Sequence, residues 1–393
     1  MGTSLFAQDR DETPMEKAMR GRLAVSQYQK LTNNGTPPAP ENANAISGTM
    51  FNGQGNFDSF GNSVSSAGDV NGDGYDDIIV GAYGYTSTAS NKGRAYIYFG
   101  GPNMDNTADV ILNGEQLLNY FGFSVSTAGD VNGDGYDDVI VGAYGNLLYA
   151  GRAYIYFGGA AMDNIADKAM EGEAANNYFG QSVSTAGDVN GDGFSDVIVG
   201  AYGNTSSAGR AYIYYGGTNM NTAADVTMSG QAAFDQFGVS VSTAGDVNGD
   251  GYSDVIVGAF GNSSNAGRTY IYYGGAAMNN VADVTMSGEA ANQYFGVSTA
   301  TAGDVNGDGY DDVIVGAYAY GASAVGRAYL YYGGTTMDNI VDVTMTGETS
   351  GLWFGVSVST AGDLNGDGYS DVVVGAFGYA NNSGRAYVYF GGT

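Results

Sequence analysis

One nine-residue stretch, Asp130-Val131-Asn132-Gly133-Asp134-Gly135-Tyr136-Asp137-Asp138, constrains this chain more than any other feature, because it occurs six times with few changes. It starts at Asp69, Asp130, Asp188, Asp246, Asp304 and Asp363, at intervals of 61, 58, 58, 58 and 59 residues. A period of that size marks repeated supersecondary units, each dependent on its neighbours for a core. The 393 residues therefore read as one array and not as two or three separate domains.

Within each stretch an oxygen-bearing side chain falls at places one, three, five and nine. Glycines at four and six permit positive φ, and a β-branched run follows, Val139-Ile140-Val141-Gly142-Ala143 in the second copy. This is a loop shaped to wrap a hard cation. An EF-hand would need a bidentate Glu at place twelve and helices on both sides, but place twelve here is Val141 and its equivalents, with strand-forming sequence around it. Asn-Gly and Asp-Gly are also ordinary hairpin-turn residues. A bare turn, however, leaves three carboxylates crowded within nine residues with no positive charge to offset their repulsion.

Four short strands can be read in one unit, at 121–127, 138–144, 152–157 and about 167–171, separated by glycines and polar clusters. Four strands every 58 residues is the signature of a propeller blade. Six blades need a fourth strand beyond the three read after Phe354, and residues 46–53 align with that missing element. They are expected to pair with 385–390 and close the ring, removing two open sheet edges. The expected fold is all-β: a six-bladed β-propeller of four-stranded blades over residues 41–393, closed by an N-terminal strand and preceded by a leader, 1–40.

The leader is expected to hold one α-helix at about 13–31. Thr13-Pro14-Met15-Glu16 forms a capping box with proline at the first helical place, Asn33-Asn34-Gly35 supplies a stop, and Pro37, Pro38 and Pro40 make a linker. Residues 1–8 end like a trimmed signal peptide, with Ala7 at the cleavage place. The helix carries Lys17, Arg20, Arg22 and Lys30 in a chain of net charge −28. Such a segment can dock on the anionic body, join a neighbouring copy into a homo-oligomer or fibre, or remain a solvated leader.

Cysteine and histidine are absent, which removes disulfides, thiolate and imidazole chemistry, and zinc sites of the usual kind. With 13 basic residues against 41 acidic ones, nucleic acid is an unexpected partner. No membrane span is expected.

The residues resemble the FG-GAP repeats of the integrin alpha-chain propeller and its bacterial relatives. Phe-Gly precedes every loop, at Phe60, Phe121, Phe179, Phe237, Phe295 and Phe354, and Gly-Ala follows at Gly81, Gly142, Gly200, Gly258, Gly316 and Gly375. The resemblance covers about residues 45–393. It departs in two ways: Tyr83, Tyr144, Tyr202, Phe260, Tyr318 and Phe377 stand where a proline is expected, and six blades are counted where integrins have seven.

The resemblance implies one Ca2+ per loop, about six in total, between first and second strands, on the face opposite the one integrins use for ligands. Carried over by position, the first loop binds through Asp69, Asn71, Asp73, the Tyr75 carbonyl and Asp77. The second uses Asp130, Asn132, Asp134, Tyr136 and Asp138, and the third Asp188, Asn190, Asp192, Phe194 and Asp196. The fourth uses Asp246, Asn248, Asp250, Tyr252 and Asp254, the fifth Asp304, Asn306, Asp308, Tyr310 and Asp312, and the sixth Asp363, Asn365, Asp367, Tyr369 and Asp371.

Each unit also carries one arginine, at Arg94, Arg152, Arg210, Arg268, Arg327 and Arg385. Folding the third strand on the fourth is expected to bring five of them opposite Asp109, Asp167, Asp225, Asp283 and Asp342 as cross-strand ion pairs. The 32 tyrosines fall mostly in Ala-Tyr-Ile-Tyr strands, where packing is the ordinary role and sugar stacking the other. The connections between second and third strands vary from copy to copy and are the candidate binding face. Trp353, the only tryptophan, is read as filling a blade contact, with a ligand anchor as the alternative.

The function expected is an exported, extracellular or cell-surface, calcium-stabilised adhesion or assembly module with a protein or glycan ligand. A carbohydrate-binding lectin and a fibre subunit joined through the N-terminal helix are the alternatives. An enzyme is not expected, because no carboxylate pair, serine or basic residue breaks the repeat to mark a catalytic spot.

Overall fold

A computed structural model describes residues 49–55, 57–86 and 91–393. The expected leader and its helix lie outside the described residues. Among the described residues, twenty-three strands follow one another in chain order as six antiparallel sheets, five of four strands and a last one of three. The second blade is representative, with β5 Ser124–Gly129, β6 Asp138–Ala143, β7 Arg152–Tyr156 and β8 Lys168–Glu171. The fold is a six-bladed β-propeller.

The repeat explains why each strand lies where it does. The second strand of each of the first five blades, such as β6, is buried along its whole length. A strand covered on both faces reads as an unbroken β-branched run, as Asp138-Val139-Ile140-Val141 does. Its alternate side chains enter two different cores. In the first blade Ile79 joins Ala95, Ile97 and Leu112 against Phe121, Val125, Val141 and Tyr154 of the second blade, while Ile78 and Val80 face the other way with Tyr96 and Tyr98. The Phe of Phe-Gly is the largest plug: Phe121, Phe179, Phe237, Phe295 and Phe354 are at most 1% exposed. Burying one such ring contributes about 1.5–3 kcal/mol.

The strand-three tyrosines also serve packing: Tyr96, Tyr98, Tyr154 and Tyr156 are buried, with Phe121 edge-on to Tyr156 at 6.3 Å. Neighbouring blades meet through their inner strands in the order β1 (Phe60–Gly68), β5, β9 (Ser182–Gly187), β13 (Ser240–Gly245), β17 (Ser298–Gly303) and β21 (Phe354–Gly362). Their serine and threonine hydroxyls, such as Ser126, Thr127, Ser184 and Thr185, line the central cavity.

Two expectations change. The closing strand does not form among the described residues: β23 (Arg385–Tyr389) pairs only with β22 (Asp371–Ala376), and 49–53 carry no strand. Instead that segment is seated on the first blade, where Phe51 meets Tyr98 at a centroid distance of 4.1 Å. Residues 46–48 lie outside the described residues.

The expected arginine–aspartate pairs are also absent. The register of β3 (Arg94–Tyr98) on β4 (Val110–Asn113) sets Arg94 opposite Asn113 and Ile97 opposite Val110, so Asp109 falls at the far end of the strand pair. There Asp109 accepts the Phe99 N–H at 2.8 Å. The arginines reach the glutamates that follow the preceding blade's fourth strand: Arg152 to Glu115 at 2.9 Å, Arg210 to Glu173 at 2.8 Å and Arg327 to Glu289 at 2.7 Å.

Candidate functional site: an acidic loop face and an aromatic face

The six acidic loops join first to second strands and so share one face. A bulge between Thr127 and Gly129 ends β5, with Gly129 at φ 71°, and turns the chain into the loop. Inside it, Asp130 gathers the backbone: its carboxylate accepts from the N–H groups of Gly133, Asp134 and Gly135 at 2.6–3.1 Å. Asn132 accepts from the Asp134 N–H at 2.8 Å and donates to the Asp134 carboxylate at 3.0 Å. The structure thus brings places one, three and five together in every loop, and the same contacts occur around Asp69, Asp188, Asp246, Asp304 and Asp363.

Place nine has a different setting. Asp138 is fully buried, its two oxygens accepting the N–H groups of Val131 at 2.9 Å and Gly158 at 2.8 Å. It buckles the loop to the end of the third strand. Burial pushes the Asp138 carboxyl up to about 7 against those hydrogen bonds, and nearby Asp134 and Asp130 raise it further. Asp77, Asp196, Asp254 and Asp312 are raised to about 7 in the same way.

The donor set at places one, three, five, seven and nine is all oxygen, which fits a hard cation in kind. Among the described residues, no group of three or more carboxylates converges into a ready-made cage.

Places seven and eight connect the loops, a role the sequence reading missed. The Phe194 ring lies on Gly133 of the preceding loop, as Tyr136 does on Gly72 and Tyr252 on Gly191. The Ser195 N–H donates to the Asp130 carbonyl at 3.0 Å, and Asp137 and Asp69 are joined likewise. Asp137 also accepts the Asp69 N–H at 2.9 Å. An aromatic residue at place seven and a glycine at place four in every copy were the available signal.

The opposite face carries aromatic rings that sequence reasoning noted only as a missing proline. The residue before Phe-Gly stacks on the residue after Gly-Ala of the same blade: Tyr120 on Tyr144 at 5.0 Å and 4°, Tyr178 on Tyr202 at 4.8 Å, Tyr294 on Tyr318 at 5.1 Å. Trp353 does the same with Phe377 at 5.7 Å and 17°, so it fills an aromatic place and stays 38% exposed. Further contacts cross between blades, Tyr83 to Tyr120, Tyr144 to Tyr178, Phe260 to Tyr294 and Tyr318 to Trp353, at 5.6–6.2 Å. Gln236 replaces the ring in the fourth blade, leaving two arcs.

The second-to-third-strand connections border these arcs. Leu147 and Leu148 sit there at φ 48° and 59°, and the Leu148 carbonyl accepts the Asn176 N–H at 3.2 Å. Leu118, Leu147, Leu148, Phe234 and Phe377 are all exposed on this side. Among the described residues no helix is long and apolar enough to cross a membrane.

Comparison with known proteins agrees with this architecture. The FG-GAP repeat family matches at 60–98, 121–156, 179–214 and 354–389, and an FG-GAP-like repeat matches at 246–315. Integrin alpha-5 of Xenopus laevis is 32% identical over 224 residues, which is 53% of this chain and 21% of that protein. Integrin alpha-V of Gallus gallus is 36% identical over 210 residues, 50% of this chain and 20% of that protein. Human integrin alpha-8 is 30% identical over 227 residues, 53% of this chain and 20% of that protein. The match thus spans about a fifth of the length of these relatives. With six Phe-Gly pairs, six acidic strand-one-to-two loops and these matches, the chain belongs to the FG-GAP repeat family, with a β-propeller of the integrin alpha type.

Proposed function

We propose that this chain is a calcium-stabilised, extracellular or cell-surface adhesion module that binds a protein through its aromatic face. The observation that carries the reading is the division of labour between faces. One holds six repeats of the same acidic loop, while the other exposes stacked rings and apolar loop tips whose sequence varies between blades. Exposed apolar and aromatic groups gathered on one face of a rigid scaffold mark a place of macromolecular contact.

In this reading each loop binds one Ca2+ through the oxygens at places one, three, five and nine and the carbonyl at seven, giving about six ions. Burial is the main cause of the raised Asp138 carboxyl, and the repulsion that Asp134 and Asp130 add to it is the part an ion would offset. Near-millimolar extracellular calcium suits loops of weak to moderate affinity. The relatives are integrin alpha chains by name, which supports adhesion, and no residue set breaks the repeat as an active site would.

The test pairs two measurements. Calcium titration calorimetry should give about six ions. Binding to immobilised extracellular-matrix proteins should need calcium and fall when Trp353 and Phe377 are changed to Ala. Selective binding on a glycan array, with no protein bound, would replace this reading with the lectin one, which the stacked tyrosines also favour.

A further inference from the structure

In the second blade leucine takes four places that later blades fill mostly with small or polar residues. Leu117 stands where the third, fourth and fifth blades carry Ala175, Ala233 and Ala291. Leu118 stands where the third and fifth carry Asn176 and Asn292 and the fourth Phe234. Leu147 and Leu148 replace the Thr205-Ser206 and Ser263-Ser264 pairs of the third and fourth blades. All four leucines are exposed, from 46% at Leu147 to 80% at Leu148.

The backbone makes these choices costly. Leu118, Leu147 and Leu148 hold φ of 60°, 48° and 59°, in the left-handed region, as Asn176 does at 64° and Asn292 at 61°. Asparagine enters that region readily, whereas a bulky apolar side chain there is strained. A leucine that is strained and left in water gives little back to the fold, and such outliers mark contacts outside the chain.

The two loops adjoin, since the Gly145 N–H donates to the Asn119 carbonyl at 3.1 Å, so the leucines form one prong. Half-buried tyrosines stand beside it: the Tyr149 ring is 6.4 Å from Tyr120 and 5.5 Å from Tyr178. Glu115 is the one charged residue in 115–120 and 144–151, and it is paired with Arg152 at 2.9 Å. The acidic loops, which carry much of the net charge of −28, join first to second strands at the opposite end of the blades.

We infer that this prong docks on a zwitterionic lipid bilayer, with the leucines at the acyl boundary and the tyrosines at headgroup depth. Leucine tips backed by amphipathic rings match the depth order of a membrane interface. The prong is uncharged, which suits a surface of no net charge and leaves the anionic loops turned to water. A second copy of the chain is disfavoured by the repulsion of two bodies of charge −28. A protein partner must supply a matching cavity for the projecting tip, whereas a bilayer accepts it anywhere. Four leucine side chains hold about as much apolar carbon as one myristoyl chain, so attachment is reversible, with an association constant on the order of 10⁴ M⁻¹. The contact lies on the second blade, apart from the sixth-blade rings Trp353 and Phe377 assigned to protein binding.

The test is co-sedimentation of the full chain with phosphatidylcholine vesicles in calcium. The unmodified protein should bind, and added salt should leave binding unchanged. Leu117→Ala/Leu118→Asn/Leu147→Ser/Leu148→Ser takes each residue from an equivalent place in another blade. This variant should bind at least about tenfold more weakly, a factor that burial of a single leucine accounts for, and should melt no lower than the unmodified protein. Trp353→Ala/Phe377→Ala should bind vesicles normally while losing matrix protein, so the two readings fail separately. Absence of co-sedimentation, equal binding by the leucine variant, or a lower melt for it overturns the inference. So does a concentration-dependent dimer, or binding to matrix protein, that the leucine variant removes with no vesicle binding to lose, since the prong would then belong to a second copy or a protein partner.

Discussion

Replacing the second-strand glycine with alanine separates a filled junction from an open one by a single methyl group. At Gly142 that methyl would stand 2.9 Å from the Gly180 carbonyl carbon and nearer still to its oxygen. Ordinary carbon–carbon contact is about 3.5–4.0 Å, so the second and third blades must part by about 1 Å. The obstacle is backbone on both sides and no rotamer change relieves it, which sets the cost at the upper end of overpacking, about 3 kcal/mol. Gly375 has the same sequence context, yet its methyl would find Ser357 at an ordinary 3.4 Å and nothing beyond. Gly375→Ala should be neutral or stabilising by up to about 1 kcal/mol, through lost freedom of the unfolded chain. Scanning calorimetry of both variants at low protein concentration, in calcium, reads the difference, with Gly142→Ala melting about 5 °C lower. Equal losses at both positions would refute the reasoning, since they would mean that the sixth blade is covered like the others. An unchanged melt for Gly142→Ala would refute the junction geometry itself.

Chelation should lower the melting temperature, since each loop held at a hundredfold excess of calcium over its Kd contributes about 2.7 kcal/mol, and thermal melts with and without chelator check this. Asp134→Ala should reduce the calorimetric stoichiometry by one ion and weaken the adjoining loops, while the loops beyond them titrate as before. Phe121→Ala, which empties a fully buried site between two blades, should cost about 3–5 kcal/mol in denaturant unfolding. Trp353→Ala, at a ring still 38% exposed, should change stability by under about 1 kcal/mol and weaken binding to matrix protein instead.

The blade was legible in the sequence because two short-range signals coincide. β-Branched runs such as Asp138 to Ala143 fix a strand buried on both faces, and positive-φ glycines at 133 and 135 fix the loop before it. The expected ion pairs failed for a reason that spacing cannot show. Arginine and aspartate lie close in sequence spacing, but the register puts Asp109 past the opposite end from Arg94, and the carboxylates that Arg152 meets are Glu115 of the preceding blade and Glu171 opposite it in its own. The stacked rings were visible as tyrosines but not as stacks. Tyr120 and Tyr144 are 24 residues apart and meet only after two strand ends converge.

The acidic loops are also less independent than their repetition suggests. From the second loop on, the place-eight N–H is bound to the place-one carbonyl of the loop before it, and the place-seven ring covers the preceding place-four glycine. Asp137 binds the Asp69 backbone directly, so the residue beside the second loop's place nine helps hold the first loop's place one. An ion that fixes one loop therefore fixes part of its neighbour's frame, and filling of successive loops should be positively coupled along the chain of blades. This gives a structural reason for loop sequence to be uniform from blade to blade on one face while it drifts on the other. A change in one acidic loop disturbs two, whereas a change at a tip such as Leu148 or Phe234 alters only what that blade presents to a partner.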